Sequence, residues 1–121
     1  MNNNVLYVDD NTVMLDLIKL LLEKAGYVVL TANNATEGLE QAEGKSLGLI
    51  ILDVNLAGES GLMLMNFMLH NHKGVPVILY SGGDHEQPAV EKMLKLGATE
   101  FVKKRSGAEL LPVAKRLCPL S

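Results

Sequence analysis

Five residues in this sequence have the types and the spacing to do chemistry together. They are the adjacent acids Asp9 and Asp10, the acid Asp53, the hydroxyl of Ser81 and the ammonium of Lys104. Each stands just after a short apolar run. "VLYV" (5–8) leads into Asp9 and Asp10, "LGLIIL" (47–52) into Asp53, "VPVILY" (75–80) into Ser81 and "EFVK" (100–103) into Lys104. Neighbouring carboxylates repel each other, and neither is buried cheaply. Three carboxylates brought to one place call for a cation, and hard oxygen donors at an open site suit Mg2+. Magnesium takes one or two carboxylates, keeps some waters and reserves coordination for a phosphate oxygen, which leaves one carboxylate free as a nucleophile.

The elements that carry these residues alternate. A further β-rich run, "YVVLTA" (27–32), joins the four above. Between the runs lie helical patterns. In 12–25, Thr12, Asp16, Lys19 and Glu23 share one face and Met14, Leu17, Ile18, Leu21 and Leu22 the other. Gly26 closes that helix. The segments 35–43, 60–71, 86–96 and 106–117 read as helices too, with Gly44, Gly74 and Gly97 where a helix stops. Ser106 followed by Glu109 reads as a capping box for the last helix. Pro112 lies inside that pattern and is expected to bend or interrupt it. Five strands alternating with five helices predict an α/β fold, a doubly wound five-stranded parallel sheet covered on both faces. "LIIL" and "VILY" are apolar without alternation, as doubly covered strands require. All strands of such a sheet end at one edge, where open α/β folds bind ligands. The topology thus supplies the convergence that the chemistry needs.

Composition narrows the field. The 121 residues read as one domain, 1–121, with 48% hydrophobic and 21% charged residues. A net charge of −3 gives no footing for nucleic acid or an anionic membrane. The lone cysteine, Cys118, excludes an intramolecular disulfide and points to a reducing, cytoplasmic setting. The start "MNNN" has neither the basic nor the apolar region of a signal peptide. The apolar stretch 13–22 is short and broken by Asp16 and Lys19, so no membrane span is expected.

"VLYVDDN", "LIILDVNLAGESGL", "PVILYSGG" and "GATEFVKK", in that order and spacing, resemble the receiver domain of two-component response regulators. The resemblance covers Val5 to about Leu117. It implies a flavodoxin-like three-layer sandwich of strand order 2-1-3-4-5. It also implies that Asp53 accepts a phosphoryl group from a histidine kinase or phosphotransfer protein. On that resemblance Asp10 binds Mg2+ directly, Asp9 directly or through a water, and Asp53 and the backbone carbonyl of Asn55 complete the protein's share. Lys104 pairs with Asp53 and then neutralises phosphoryl oxygens, while the Ser81 hydroxyl and the Gly82 N–H donate to another. Phe101 takes the aromatic switch position and moves inward when Ser81 is drawn to the phosphate. The surface of the fourth helix, fifth strand and fifth helix then changes its affinity for a downstream protein or a fused output domain outside this chain. Such a domain catalyses only its own phosphorylation and dephosphorylation, and no direct nucleic-acid or membrane contact is implied.

Read singly, each residue has a plainer role. Asp9 and Asp10 suit a helix N-cap, but Asn11 suits it equally and leaves both acids unexplained. Asp53 and Ser81 suit turns. Lys104 sits in "KKR", a solvated basic patch on its own; the resemblance, in which the family's lysine lies three residues after the aromatic, selects it over Lys103. Met63, Met65 and Met68 read as packing, and His70 and His72 as surface residues. Three departures from the family stand out. Leu56 and Ala57 occupy positions where proline is frequent. Phe101 replaces the commoner tyrosine. Arg105 follows Lys104 where a proline with a cis peptide is usual; a non-proline cis bond costs about 2.5–4 kcal/mol, so a trans bond is expected here. The alternative to a phosphoacceptor is a receiver-like scaffold that binds partners without phosphorylation. A flavodoxin-like cofactor binder fits less well, because acids stand where backbone N–H groups would cradle a phosphate.

Overall fold

The computed structural model describes residues 2–56, 60–83 and 87–120. Among them the elements run β1 (Asn4–Val8), α1 (Thr12–Ala25), β2 (Val28–Ala32), α2 (Ala35–Ala42), β3 (Leu49–Asp53), α3 (Ser60–Asn71), β4 (Val77–Ser81), α4 (Gln87–Leu96), β5 (Glu100–Lys103) and α5 (Leu110–Leu117). The strands form one parallel sheet in the order β2-β1-β3-β4-β5, as predicted.

The two-residue period of a strand divides each one between two cores. Leu6 and Val8, Ile50 and Leu52, and Val77 and Leu79 face α2, α3 and α4, where Leu64, Met65, Met68, Val90 and Met93 pack on them. Val5 and Tyr7, Leu49 and Ile51, and Ile78 and Tyr80 face α1 and α5, against Leu15, Ile18, Leu22, Leu110 and Ala114. Met65 and Met68 are therefore core residues, as their spacing predicts, whereas Met63 is exposed. Among the described residues, no helix is long and apolar enough to cross a membrane.

Several boundaries differ from the sequence reading, each for a local reason. β2 starts at Val28 because Tyr27 belongs to the helix stop before it. Gly26 adopts φ +115°, its N–H bonds to the Glu23 carbonyl at 3.0 Å, and the Tyr27 N–H bonds to the Leu22 carbonyl at 3.1 Å, which is a Schellman motif. β4 starts after Pro76, which has no N–H to give the ladder. Both β3 and β4 run one residue further than expected, so Asp53 and Ser81 end their strands rather than follow them. Asp53 lies opposite Tyr80, and Ser81 opposite Lys103.

The largest correction concerns α5. It begins at Leu110, not Ser106, because Gly107 adopts φ +99° and a right-handed helix cannot pass through it. Only half of the expected capping box forms: the Ser106 N–H reaches Glu109 Oε1 at 3.1 Å. Pro112 does not interrupt the helix. It is the third helical residue, in the first turn, where no intrahelical partner awaits its missing N–H. The predicted Glu86 start of α4 and the departure at Ala57 lie outside the described residues.

Candidate functional site

The carboxyl edge of the sheet gathers the predicted residues. Asn11 caps α1: its side-chain oxygen accepts the N–H groups of Val13 at 3.1 Å and Met14 at 3.2 Å. Asp9 and Asp10 are thereby released from capping. Asp10 is exposed, whereas Asp9 is fully buried and Asp53 is 2% exposed. One carboxylate oxygen from each of Asp9, Asp10 and Asp53 lies within 4.8 Å of the other two.

Asp9 is well supplied with donors. Its Oδ1 accepts the Asn11 N–H at 3.0 Å, and its Oδ2 accepts the Tyr7 hydroxyl and stands 2.8 Å from Lys104 Nζ. Burial would raise its carboxyl, but the hydrogen bonds from Lys104, Tyr7 and Asn11 together outweigh burial and hold it below the ordinary value. Asp53 has fewer donors. Its Oδ1 accepts the Asn55 N–H at 3.0 Å, and its Oδ2 is 3.4 Å from Lys104 Nζ. Burial pushes Asp53 up to about 7; the Asn55 N–H opposes this, and the charge of Asp9 adds to it. Lys104 thus bridges both acids and lies closer to Asp9 than to its expected partner Asp53. Burial would lower its ammonium, but the two carboxylates outweigh that and raise it.

Ser81 is 1% exposed, and its Oγ has no hydrogen-bond partner among the described residues. A buried unpaired hydroxyl costs roughly 1–3 kcal/mol, so the position is better suited to a ligand oxygen than to stability. Phe101 is half-buried in β5 opposite Leu79, packed against the core under α2, α3 and α4. The Lys104–Arg105 peptide is trans, as Arg105 predicts.

Three residues of this edge escaped the sequence reading: Tyr7, Tyr80 and Glu109. Tyr7 and Tyr80 read as strand core, and both are fully buried there. Their hydroxyls nevertheless reach polar partners, Asp9 and Glu109. The signal for Tyr7 was available, because Tyr7 and Asp9 are two residues apart and so share one face of the chain. Glu109 read as a capping partner only.

The family profile for the response regulator receiver domain matches residues 5–115. The nitrogen assimilation regulatory protein NtrX of Azorhizobium caulinodans is 34% identical over 115 residues, 93% of this chain and 25% of that protein. The transcriptional regulatory protein FixJ of Bradyrhizobium diazoefficiens is 32% identical over 101 residues, 84% of this chain and 49% of that protein. The chain therefore spans from a quarter to about half the length of these relatives. Among solved structures, the receiver domain of NtrX from Brucella abortus superimposes with a TM-score of 0.85 at 28% identity, covering 97% of this chain and 99% of that one. The strand order, the acids at the sheet edge and this match over nearly the whole sequence agree: the chain belongs to the family of response regulator receiver domains.

Proposed function

We propose that the chain is the phosphoacceptor of a two-component phosphorelay, with Asp53 taking a phosphoryl group from a phosphohistidine of a histidine kinase or phosphotransfer protein. The observation that carries this reading is the three-carboxylate cluster with a single ammonium between two of its members. In the transfer, a carboxylate oxygen of Asp53 bonds to phosphorus while the P–N bond to the imidazole breaks. The bonding pair returns to the imidazole nitrogen. Asp53 suits the nucleophile because it holds one backbone donor and shares Lys104, so an oxygen remains to react. Lys104 is within reach of both Asp9 and Asp53 and meets the charge that the phosphoryl oxygens bring. The unpartnered Ser81 hydroxyl supplies a further donor to them, beside the N–H of Gly82.

The donor set fits Mg2+. Three hard carboxylates stand together, and burial and mutual repulsion hold Asp53 up to about 7, a strain that a divalent ion relieves. Asp10 and Asp53 would hold the ion, with Asp9 directly or through a water and with the Asn55 carbonyl. Once bound, it would neutralise charge on the phosphoryl oxygens. Phosphorylation would draw Ser81 toward the phosphate and let Phe101 move inward, changing the surface of α4, β5 and α5 for a downstream protein or output domain. The test is intact-mass analysis after acetyl phosphate and Mg2+. A gain of one phosphoryl group is expected. No gain would favour a scaffold that binds partners without phosphorylation.

A further inference from the structure

Glu109 gathers more donors than any capping role requires. Its Oε2 accepts the Arg105 N–H at 2.9 Å, the Gly107 N–H at 3.1 Å and the Tyr80 hydroxyl at 2.5 Å. Its Oε1 accepts the N–H groups of Ser106 and Gly107, each at 3.1 Å. Three consecutive backbone donors of the loop after Lys104 therefore end on one carboxylate, and a phenol from β4 ties that carboxylate to the sheet.

The other end of Tyr80 touches the same lysine. Lys104 Nζ lies 5.5 Å from the centroid of the Tyr80 ring, on its face, in cation–π range. Tyr80 is opposite Asp53 in the ladder and immediately precedes Ser81. The Lys104 N–H bonds to the Ser81 carbonyl at 2.7 Å, which fixes the backbone on the near side of the lysine. Glu109 fixes it on the far side. Without that carboxylate the N–H groups of Arg105, Ser106 and Gly107 would lose their shared acceptor, and the loop would keep only the burial of Gly107 against α1 and the bond from its carbonyl to the Leu110 N–H.

We propose that Tyr80 and Glu109 form a positioning pair for Lys104: Glu109 sets the path of the loop that leaves the lysine, and Tyr80 locks Glu109 while presenting its ring beneath the ammonium. The inference rests on the phosphoacceptor reading above and adds two residues to it. Both act through Lys104, and neither touches the transferred group. Arg105 enters through its backbone alone. The N–H that a proline at this position would lack is the one that Glu109 holds.

The test is the rate of Asp53 labelling by acetyl phosphate at saturating Mg2+, for the parent and for Tyr80→Phe, Glu109→Gln and Lys104→Ala. Tyr80→Phe keeps the ring and removes only the hydroxyl. Misplacing a catalytic group by about an ångström costs up to roughly a hundredfold, so each positioning variant should slow labelling by about tenfold, with Mg2+ affinity unchanged. Rates are expressed per folded molecule, from thermal unfolding of each variant, so that lost stability does not count. The decisive measurement is the double variant with Lys104→Ala. A positioning role predicts that Glu109→Gln costs nothing further once the ammonium is gone; a merely structural role predicts the same cost in both backgrounds. Equal costs, or single variants labelled at the parent's rate, overturn the inference and leave the phosphoacceptor reading standing. A folded parent that takes no phosphoryl group overturns both.

Discussion

Asp53 at the exit of β3 and Glu109 beyond the exit of β5 are both carboxylates joined to the carboxyl edge of the sheet, and they titrate in opposite directions. Burial pushes Asp53 up to about 7. Burial also works to raise Glu109, but hydrogen bonds from Tyr80 and from the loop N–H groups outweigh it and bring Glu109 down to about 2. The difference lies in donors. Glu109 accepts from a phenol and three consecutive N–H groups, whereas Asp53 has the Asn55 N–H and a share of Lys104. One carboxylate is satisfied, and it serves as a fixture. The other is short of partners, which is what a nucleophile and a cation ligand need.

The largest expected effect breaks the β3 side of this pair. Asp53→Asn keeps the size of the side chain and removes the proposed nucleophile, so stable phosphorylation by acetyl phosphate should vanish while the far-UV spectrum stays that of the parent. Undiminished labelling of the variant would move the phosphoacceptor elsewhere.

Next is the cation. Mg2+ that binds only the folded state raises its stability by linkage, about 2.7 kcal/mol at a hundred times the dissociation constant. The parent should show a rise in Tm with Mg2+ that monovalent salt at equal ionic strength does not reproduce. Asp10→Ala should lose most of that rise, and its metal-free form should melt at or above the parent because one source of repulsion is gone. Equal Mg2+ stabilisation of parent and variant would place the ion outside the cluster.

Titration sharpens the contrast, because the two acids predict opposite slopes. Asp53 has a folded value near 7, above its ordinary 3.8, so the folded state of the metal-free protein holds the proton more tightly. Its contribution is fully present below about pH 4 and is lost as pH rises through about 7. Glu109 has a folded value near 2, below its ordinary 4.5, so its contribution is present above about pH 4.5 and is lost as pH falls toward 2. Urea unfolding against pH, in chelator, should show both limbs. Asp53→Asn should flatten the neutral limb, and Glu109→Gln should reduce the acid limb, to which Asp9 also contributes; a variant that acted only on the other limb would refute the assignment.

How much of this was legible follows from the range of each interaction. The strands were readable because the apolar runs and the glycine stops are local features, whereas their order came from the resemblance to receiver domains. Asp9, Asp10, Asp53, Ser81 and Lys104 were readable because a parallel sheet carries every strand end to one edge. The contact between Tyr80 and Glu109 spans 29 residues, and no spacing rule joins a buried strand tyrosine to an acid past the next strand. The unequal sharing of Lys104 between Asp9 and Asp53 also needed three dimensions, because it is a difference between 2.8 Å and 3.4 Å across three strand ends that no sequence spacing reports. The start of α5 was misread for a different reason. Ser106 and Glu109 have the spacing of a capping box, and only the left-handed backbone of Gly107 shows that the chain turns before the helix begins.

The smallest expected effect tests that start directly. A proline in a helix interior is about 3 kcal/mol less favourable than alanine, so if Pro112 broke the helix, Pro112→Ala would stabilise the protein by about that much. With α5 beginning at Leu110, Pro112 stands in the first turn, where its ring fits the helical φ and no carbonyl awaits its N–H. Alanine gains little there, and it also frees the unfolded chain, a loss of about 0.4–1 kcal/mol. Pro112→Ala should therefore shift stability by less than about 1 kcal/mol in either direction, read from the urea midpoint at unchanged slope. A gain above about 2 kcal/mol would mean that the helix begins before Gly107 and that proline, not the Glu109 knot, sets the geometry of the loop. A near-neutral result agrees with a helix that begins at Leu110, past the left-handed turn at Gly107, with the Glu109 carboxylate holding the loop N–H groups between β5 and α5.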